Sequence, residues 1–267
     1  MNVSIIIPIY NPDRKILKEI DRSLKNQKFS GKVEIIKVDK GLGLADSFNY
    51  GIKKAKYPII VTLHQDCIPT SNDWLKKLVE PLKKKEMICS ISQVELPYKL
   101  WNKFDIIAKI LSVKEQKVLV SFEKASAYKK SALLKIGLFD GKKFRTAGED
   151  CDLHIKLEEI KNFTEAFPQT KVLHYHPHKG YTRFKKEYQL SNGFGALVRI
   201  YGSKNPGWYI GLIKSIPIIG WPVFLTSINI KKLGIRASLL AIPLYLLVNF
   251  IYSYGFWKGF IAKKQQV

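Results

Sequence analysis

Cysteine is scarce in this 267-residue chain: Cys67, Cys89 and Cys151 are the only three. They form no Cys-x-x-Cys pair and leave an odd thiol, so a disulfide framework is not expected and a reducing setting fits. Acidic residues are few as well, 22 against 45 basic ones, for a formal charge of +23. Such a balance requires an anionic partner. The basic residues are dispersed and mostly lysine, with no arginine-rich arm and no nucleic-acid motif. That points away from nucleic acid and toward an anionic membrane, where each basic residue contributes about 1 kcal/mol. Internal repeats and low-complexity tracts are missing, and Met1 leads almost directly into an apolar run, so no secretory leader is expected.

What the chain does have is apolar, β-branched runs that stop at polar residues. Val3–Tyr10 ends at Asn11, Val33–Val38 at Asp39, and Pro58–Leu63 at His64-Gln65-Asp66. Continuous runs of this kind read as strands buried on both faces, which means a parallel sheet covered by helices. Helices are expected over Asp13–Gln27, Leu44–Ala55 and Trp74–Lys84, with a fourth strand over Met87–Val94. The order β-α-β-α-β-α-β makes an α/β fold with right-handed crossovers. Open sheets of this type bind ligands at the carboxyl ends of their strands, so the polar stops would line one crevice. Pro97–Val113 is amphipathic, with Trp101, Phe104, Ile107, Ile110 and Leu111 either in a core or on a membrane.

Composition changes near residue 207, giving an expected division into 1–206 and 207–267. Tyr209–Ile230 is apolar apart from Lys214, and Ala237–Trp257 holds no charged side chain. A bilayer core needs about 20 such residues, so C-terminal hydrophobic membrane helices are expected, flanked by Trp208, Tyr209 and Trp257 as interfacial aromatics. Two spans would carry Lys231, Lys232 and Arg236 across the membrane, against the positive-inside tendency. One span preceded by a kinked interfacial segment would not, and a buried helix pair is the alternative to both.

Several residues carry chemistry. Asp39, directly after a strand, suits a nucleobase imide or a ribose hydroxyl, or else caps the Lys40-Gly-Leu-Gly43 loop. That loop has neither the Gly-x-Gly-x-x-Gly pattern nor a Walker lysine. Asp66 at a strand end suits Mg2+ or Mn2+, and His64 beside it tilts the preference toward Mn2+. His174, His176 and His178 fall within one short segment; alternation puts them on one face if the strand runs that far, with His174 and His176 the metal candidates and His178 in a loop. The cysteines offer no spacing for a closed zinc site. Glu149-Asp150 opens a helix-like period, either as a cap or as a general base acting on a sugar hydroxyl.

Two blocks resemble a family 2 glycosyltransferase of the GT-A fold. The first runs from Val3-Ser-Ile-Ile-Ile-Pro-Ile-Tyr-Asn11 through Val38-Asp39 and Leu44-Ala-Asp-Ser-Phe-Asn-Tyr-Gly51 to Leu63-His-Gln-Asp66. The second comprises Ala125–Leu134, Ile136-Gly-Leu-Phe-Asp140 and Gly148-Glu-Asp-Cys-Asp-Leu153. The resemblance covers roughly residues 1 to 178. It implies a Rossmann-like mixed sheet flanked by helices, with Pro8, Tyr10 and Asp39 contacting the nucleotide; Asn11 and Asn49, within the same block, are further candidates for nucleotide binding. It further implies Asp66 as metal ligand, completed by His174 or His176, and Asp150 as catalytic base; His64 beside Asp66 and Glu149 beside Asp150 are candidates by position. The usual Asp-x-Asp is His64-Gln65-Asp66 here, which puts the metal's identity in question. No Gln-x-x-Arg-Trp motif of processive synthases is present, which favours a single transfer per acceptor.

The expected activity is inverting, metal-dependent transfer from a UDP- or GDP-sugar to a hydroxyl of a lipid-linked or cell-surface glycan, on the cytoplasmic face of a membrane. The rivals are a polyprenyl- or dolichyl-phosphate sugar synthase, and a non-catalytic membrane-associated scaffold.

Overall fold

A computed structural model describes residues 1–117, 119–145, 147–176 and 179–262, so His178 lies outside the described residues. The chain forms two compact units: residues 1–97, 117–141 and 150–176 in the first, and 98–116, 142–149 and 177–267 in the second. The boundary expected at 206/207 therefore falls inside the second unit, which gathers pieces from three parts of the chain.

The first unit starts with β1 (Val3–Pro8), α1 (Arg14–Lys25), β2 (Val33–Val38), α2 (Leu44–Lys54) and β3 (Ile59–Leu63). Then come β4 (Cys67–Pro69), α3 (Trp74–Val79), β5 (Met87–Ile91) and β6 (Gln93–Glu95). Two short helices of the second unit, α4 (Tyr98–Trp101) and α5 (Ile106–Ser112), intervene. The first unit resumes with β7 (Leu119–Val120), β8 (Ala125–Lys129), α6 (Lys130–Lys135), α7 (Glu149–Glu158), β9 (Thr164–Ala166) and β10 (Lys171–His174). Among the described residues the main sheet has six strands in the order β2-β1-β3-β8-β5-β9, and a smaller one has the order β4-β10-β6-β7.

β1, β2 and β3 are parallel, as their apolar runs require, whereas β8 runs antiparallel to both β3 and β5. Alternation along β1 divides the interior: Ile5 and Ile7 pack with Ile20, Leu24, Trp74 and Leu78 on one face. Ile6 packs with Phe48, Ile52, Tyr128, Leu133 and Leu153 on the other. Successive strand residues point to opposite faces, so one short segment anchors both helix layers. α2 can press onto β1 because position 51 is glycine; a Cβ there would overlap Ile6.

Three expectations need correction. β2 is an edge strand with Val33 and Ile35 exposed, so it is not buried on both faces. The strand expected over Met87–Val94 is two strands in different sheets, divided at buried Ser92. Its hydroxyl accepts from Trp74 Nε1 and Thr170 Oγ1, both at 3.1 Å, and its amide donates to the Ala125 carbonyl, so tertiary partners fix the break. The helix expected over Trp74–Lys84 stays α-helical only to Val79 and finishes as a 3-10 turn over Glu80–Lys83, because Pro81 cannot donate to the helical ladder.

The second unit continues with α8 (Gly180–Tyr201), α9 (Trp208–Lys214), α10 (Trp221–Leu225) and α11 (Ile230–Ile261). α11 breaks helical geometry at Gly234 and is the one described helix long and apolar enough to cross a membrane, by length and composition. Ile110 and Leu111 of α5 are buried with Ala237, Ala241, Tyr245 and Val248, so the amphipathic 97–113 segment belongs to a core. α8 and α11 approach through small residues. A Cβ on Gly195 would overlap the Phe256 carbonyl, one on Gly255 the Ser191 hydroxyl, and one on Gly259 the Asn192 carbonyl.

Candidate active site

Because β1, β2 and β3 are parallel, Pro8, Val38 and Leu63 end at one edge of the sheet, and the polar residues after them meet there. A cavity of about 440 Å³ opens at this edge, lined by residues 8–10, 41–44, Ser47 and 64–66. Of the sequence candidates, Pro8, Tyr10, His64 and Asp66 line it. Asp39 follows β2 and is exposed, beside Ile9, whose amide donates to the Val38 carbonyl. Asn11 takes a left-handed conformation, φ 42°, which asparagine tolerates better than most residues. α2 begins at the cavity with Gly43 as its N-cap and no side-chain cap, so its first amides favour an anion.

Gln65 joins the strand ends. Its Oε1 accepts from the Tyr10 amide at 2.8 Å and its Nε2 donates to the Tyr10 carbonyl at 2.6 Å. The Tyr10 backbone is thereby held while its ring stays 70% exposed, available for stacking. A sequence reading passes over Gln65, because the backbone partner is 55 residues away.

The chain turns over His64–Asp66 from the main sheet into β4, with the Cys67 amide donating to the His64 carbonyl. β10 pairs antiparallel with β4, placing His174 opposite Cys67, and the Tyr175 amide donates to the Asp66 carbonyl. The ladder therefore delivers His174 Nε2 to 3.3 Å from Asp66 Oδ2. Asp66, Cys67 and His174 each present a ligand atom within 4.8 Å of the others. β10 ends at His174, so His174 and His176 do not share a strand, although their rings lie 5.5 Å apart. Burial alone would raise the Asp66 pKa. The hydrogen bond from His174 and the charges of His174, His64 and His176 outweigh it and hold the carboxyl well below its ordinary range. Burial and the Asp66 charge push the Cys67 thiol up, which keeps it protonated. The Asp66 carboxylate oxygen and the His174 imidazole nitrogen are donors that suit Mn2+ or Mg2+. Buried Glu123, whose Oε1 is 3.6 Å from His64 Nε2, is a further carboxylate that the sequence did not single out.

Residues 27–137 match the family model described as Glycosyl transferase family 2. This stretch, under half of the chain, is similar to a family 2 glycosyltransferase domain. No curated protein matches the sequence. Among solved structures, one similar chain is the "Mannosyltransferase PcManGT from Pyrobaculum calidifontis in complex with GDP-Man and Mn2+". It is 14% identical with a TM-score of 0.56, and the alignment covers 96% of this chain and 83% of that one. Another is GalNAc-T7 with UDP, GalNAc and Mn2+, 13% identical with a TM-score of 0.55, over 92% of this chain and 56% of that one. At such identities the likeness is one of fold, and the fold is GT-A.

The family match includes Asp39 and Asp66 but stops before Asp150 and His174. Asp150 lies in the first turn of α7, half-buried, and is not part of the cavity lining. Its Oδ1 accepts from the Cys151 amide at 2.9 Å, as a carboxylate at a helix start does. Glu149, one residue earlier, is buried. Asn49 is committed elsewhere: its Nδ2 donates to the Phe139 carbonyl at 2.8 Å and its Oδ1 accepts from the Phe139 amide at 3.0 Å. It pins α2 to the segment after α6 and does not line the cavity.

Proposed function

We propose that the glycosyltransferase moves a sugar, with inversion, from a nucleotide-sugar to a hydroxyl of a lipid-linked glycan at the cytoplasmic face of a membrane. The observation that carries this reading is the Asp66–His174 pair beside a cavity built from strand ends. Pro8, Tyr10 and Asp39 hold the nucleotide, the Tyr10 ring by stacking. Asp66 and His174 hold a divalent ion, with His64 and His176 nearby. Such an ion neutralises charge on the departing diphosphate. Asp150 takes the proton of the acceptor hydroxyl. The similar mannosyltransferase and GalNAc-T7 structures both contain Mn2+ with a donor nucleotide or nucleotide-sugar, which supports a metal-assisted donor site here. Net positive charge and the apolar α11 support a membrane-borne acceptor.

Calorimetric titration of the purified chain with UDP- and GDP-sugars, with and without Mn2+, tests the donor site. We expect metal-dependent binding of one nucleotide series, lost in Asp66→Asn. Binding of none by the wild type moves the weight to a non-catalytic scaffold.

One observation favours a second reading, direct transfer to polyprenyl phosphate. Asp150 bonds to its own helix and lies outside the cavity lining, and a phosphate acceptor is already an anion that requires no base. With a hydroxyl acceptor, Asp150→Asn lowers turnover by about 10² or more. Turnover close to wild type with a polyprenyl phosphate acceptor selects the second reading.

A further inference from the structure

The apolar length of α11 can meet a bilayer across its thickness or along its surface. We propose that α11 lies along the surface, embedding one flank in an anionic leaflet without crossing the bilayer. The proposal rests on the membrane-borne reading above and concerns how that attachment is made.

The flank is continuous. Leu239, Leu247, Phe250, Tyr254, Trp257 and Ile261 recur at three-, four- and eight-residue intervals, and each is exposed. The opposite side, with Ala241, Tyr245, Val248 and Phe256, is buried in protein. Such a stripe offers one apolar flank to lipid while protein covers the other, so α11 can rest on a leaflet without being surrounded by it.

Charge at mid-length argues against crossing. A crossing helix would put the middle of residues 237–257, around Leu247, at the bilayer centre. There the Tyr245 hydroxyl donates to the Ile110 carbonyl at 3.0 Å. The next carbonyl, that of Leu111, accepts from Arg183 Nη2 at 3.1 Å. Arg183 pairs with Glu115 at 2.6 Å and with Glu187 at 3.3 Å. Beside Asn249, whose Nδ2 donates to the Lys214 carbonyl at 2.7 Å, the Lys214 ammonium lies 5.1 Å from the Phe224 ring and 5.8 Å from that of Tyr252. Crossing would carry these charged groups to the bilayer centre, the depth at which charged side chains are most costly. Lying flat leaves them on the protein side.

The returning segment fits the same placement. Ser215, Ile218 and Trp221 bond to Trp257, Asn249 and Ile242 in turn, so α9 and α10 run antiparallel to α11. Asn249 and Trp257 take up peptide groups freed at the break between α9 and α10. The break therefore bares Ile216, Ile218 and Ile219 while its backbone bonds inward, as contact with lipid demands. Lys231, Lys232 and Arg236 are exposed next to the start of the stripe, placed for anionic headgroups on the same side of the membrane.

Nitroxide labels on Leu239→Cys, Leu247→Cys and Ile261→Cys test this. Each is made in the full chain with Cys151→Ser, Cys67 and Cys89 being buried, and reconstituted by detergent removal into phosphatidylcholine–phosphatidylglycerol vesicles. Depth is read by power-saturation spin resonance. We expect all three labels at one shallow depth, about 5–10 Å below the headgroups. A Leu247 label about 10 Å deeper than the other two would establish crossing and overturn the proposal. Labels left in water on vesicle-bound protein, or a stripe covered by a second copy in scattering measurements, overturn it as well. Failure of the chain to float with vesicles removes the membrane-borne reading itself, whereas donor titration still reports on the transferase site.

Discussion

At the scale of single residues, the cavity edge turns on Asp66, which His174 meets at 3.3 Å, and on Gln65, which holds the Tyr10 backbone through two hydrogen bonds. Asp66 stands out because an apolar run stops beside it. His174 stands out only within a histidine-rich segment, and choosing it over His176 took the β4–β10 register, which sets it opposite Cys67. Gln65, Cys67 and Glu123 give no signal of their own, since each acquires its role from a partner far along the chain. Gln65 is the most informative of them to change. Gln65→Ala removes two hydrogen bonds worth about 0.5–1.5 kcal/mol each, so stability falls by about 1–3 kcal/mol. If those bonds place Tyr10 for stacking, donor affinity also falls about tenfold, the equivalent of 1.4 kcal/mol. Thermal unfolding and donor calorimetry on the same preparation separate the effects; reduced stability with unchanged affinity would make the clamp purely structural.

At the scale of elements, periodicity located strands and helices, while tertiary contacts decided where several of them stop. Met87–Val94 shows one uninterrupted apolar pattern, yet Trp74 and Thr170 converge on Ser92 and split it between sheets. Pro81 announces its own break; Ser92 does not. The α8–α11 contact is a comparable case. Gly255 and Gly259 are spaced four apart, facing Ser191, Asn192 and Gly195, so the two backbones approach without intervening side chains. Helix propensity by itself predicts that Gly259→Ala stabilises by about 1 kcal/mol. The overlap of its Cβ with the Asn192 carbonyl predicts the reverse sign, a loss of about 1–3 kcal/mol. Denaturant unfolding of the single variant decides between them by sign alone.

At the scale of the whole molecule, the charge of +23 and the exposed apolar flank act together. Attraction of dispersed lysines to an anionic leaflet is screened over a Debye length of about 10 Å at 0.1 M salt. Cosedimentation with anionic vesicles should therefore weaken by about tenfold or more between 0.05 and 0.5 M salt, retaining a salt-resistant remainder from the apolar flank. Neutral vesicles should show the remainder only. Tight, steeply salt-dependent capture of oligonucleotides instead would favour a nucleic-acid partner.

The sequence carries an α/β plan in its β-branched runs, since buried strands require them and ligands collect where they end, and the GT-A form is what its resemblance to family 2 glycosyltransferases implies. It also marked Pro8, Tyr10, Asp39 and Asp66, which lie at those ends. Tertiary structure alone decided which distant groups join them, because side-chain partnership depends on strand register and not on local period. It placed His174 on Asp66, withdrew Asn49 to the Phe139 backbone, and left Asp150 bonded to its own helix. Composition likewise marks α11 as apolar all round; only its packing against α5, α8, α9 and α10 distinguishes the flank that meets protein from the flank left for lipid.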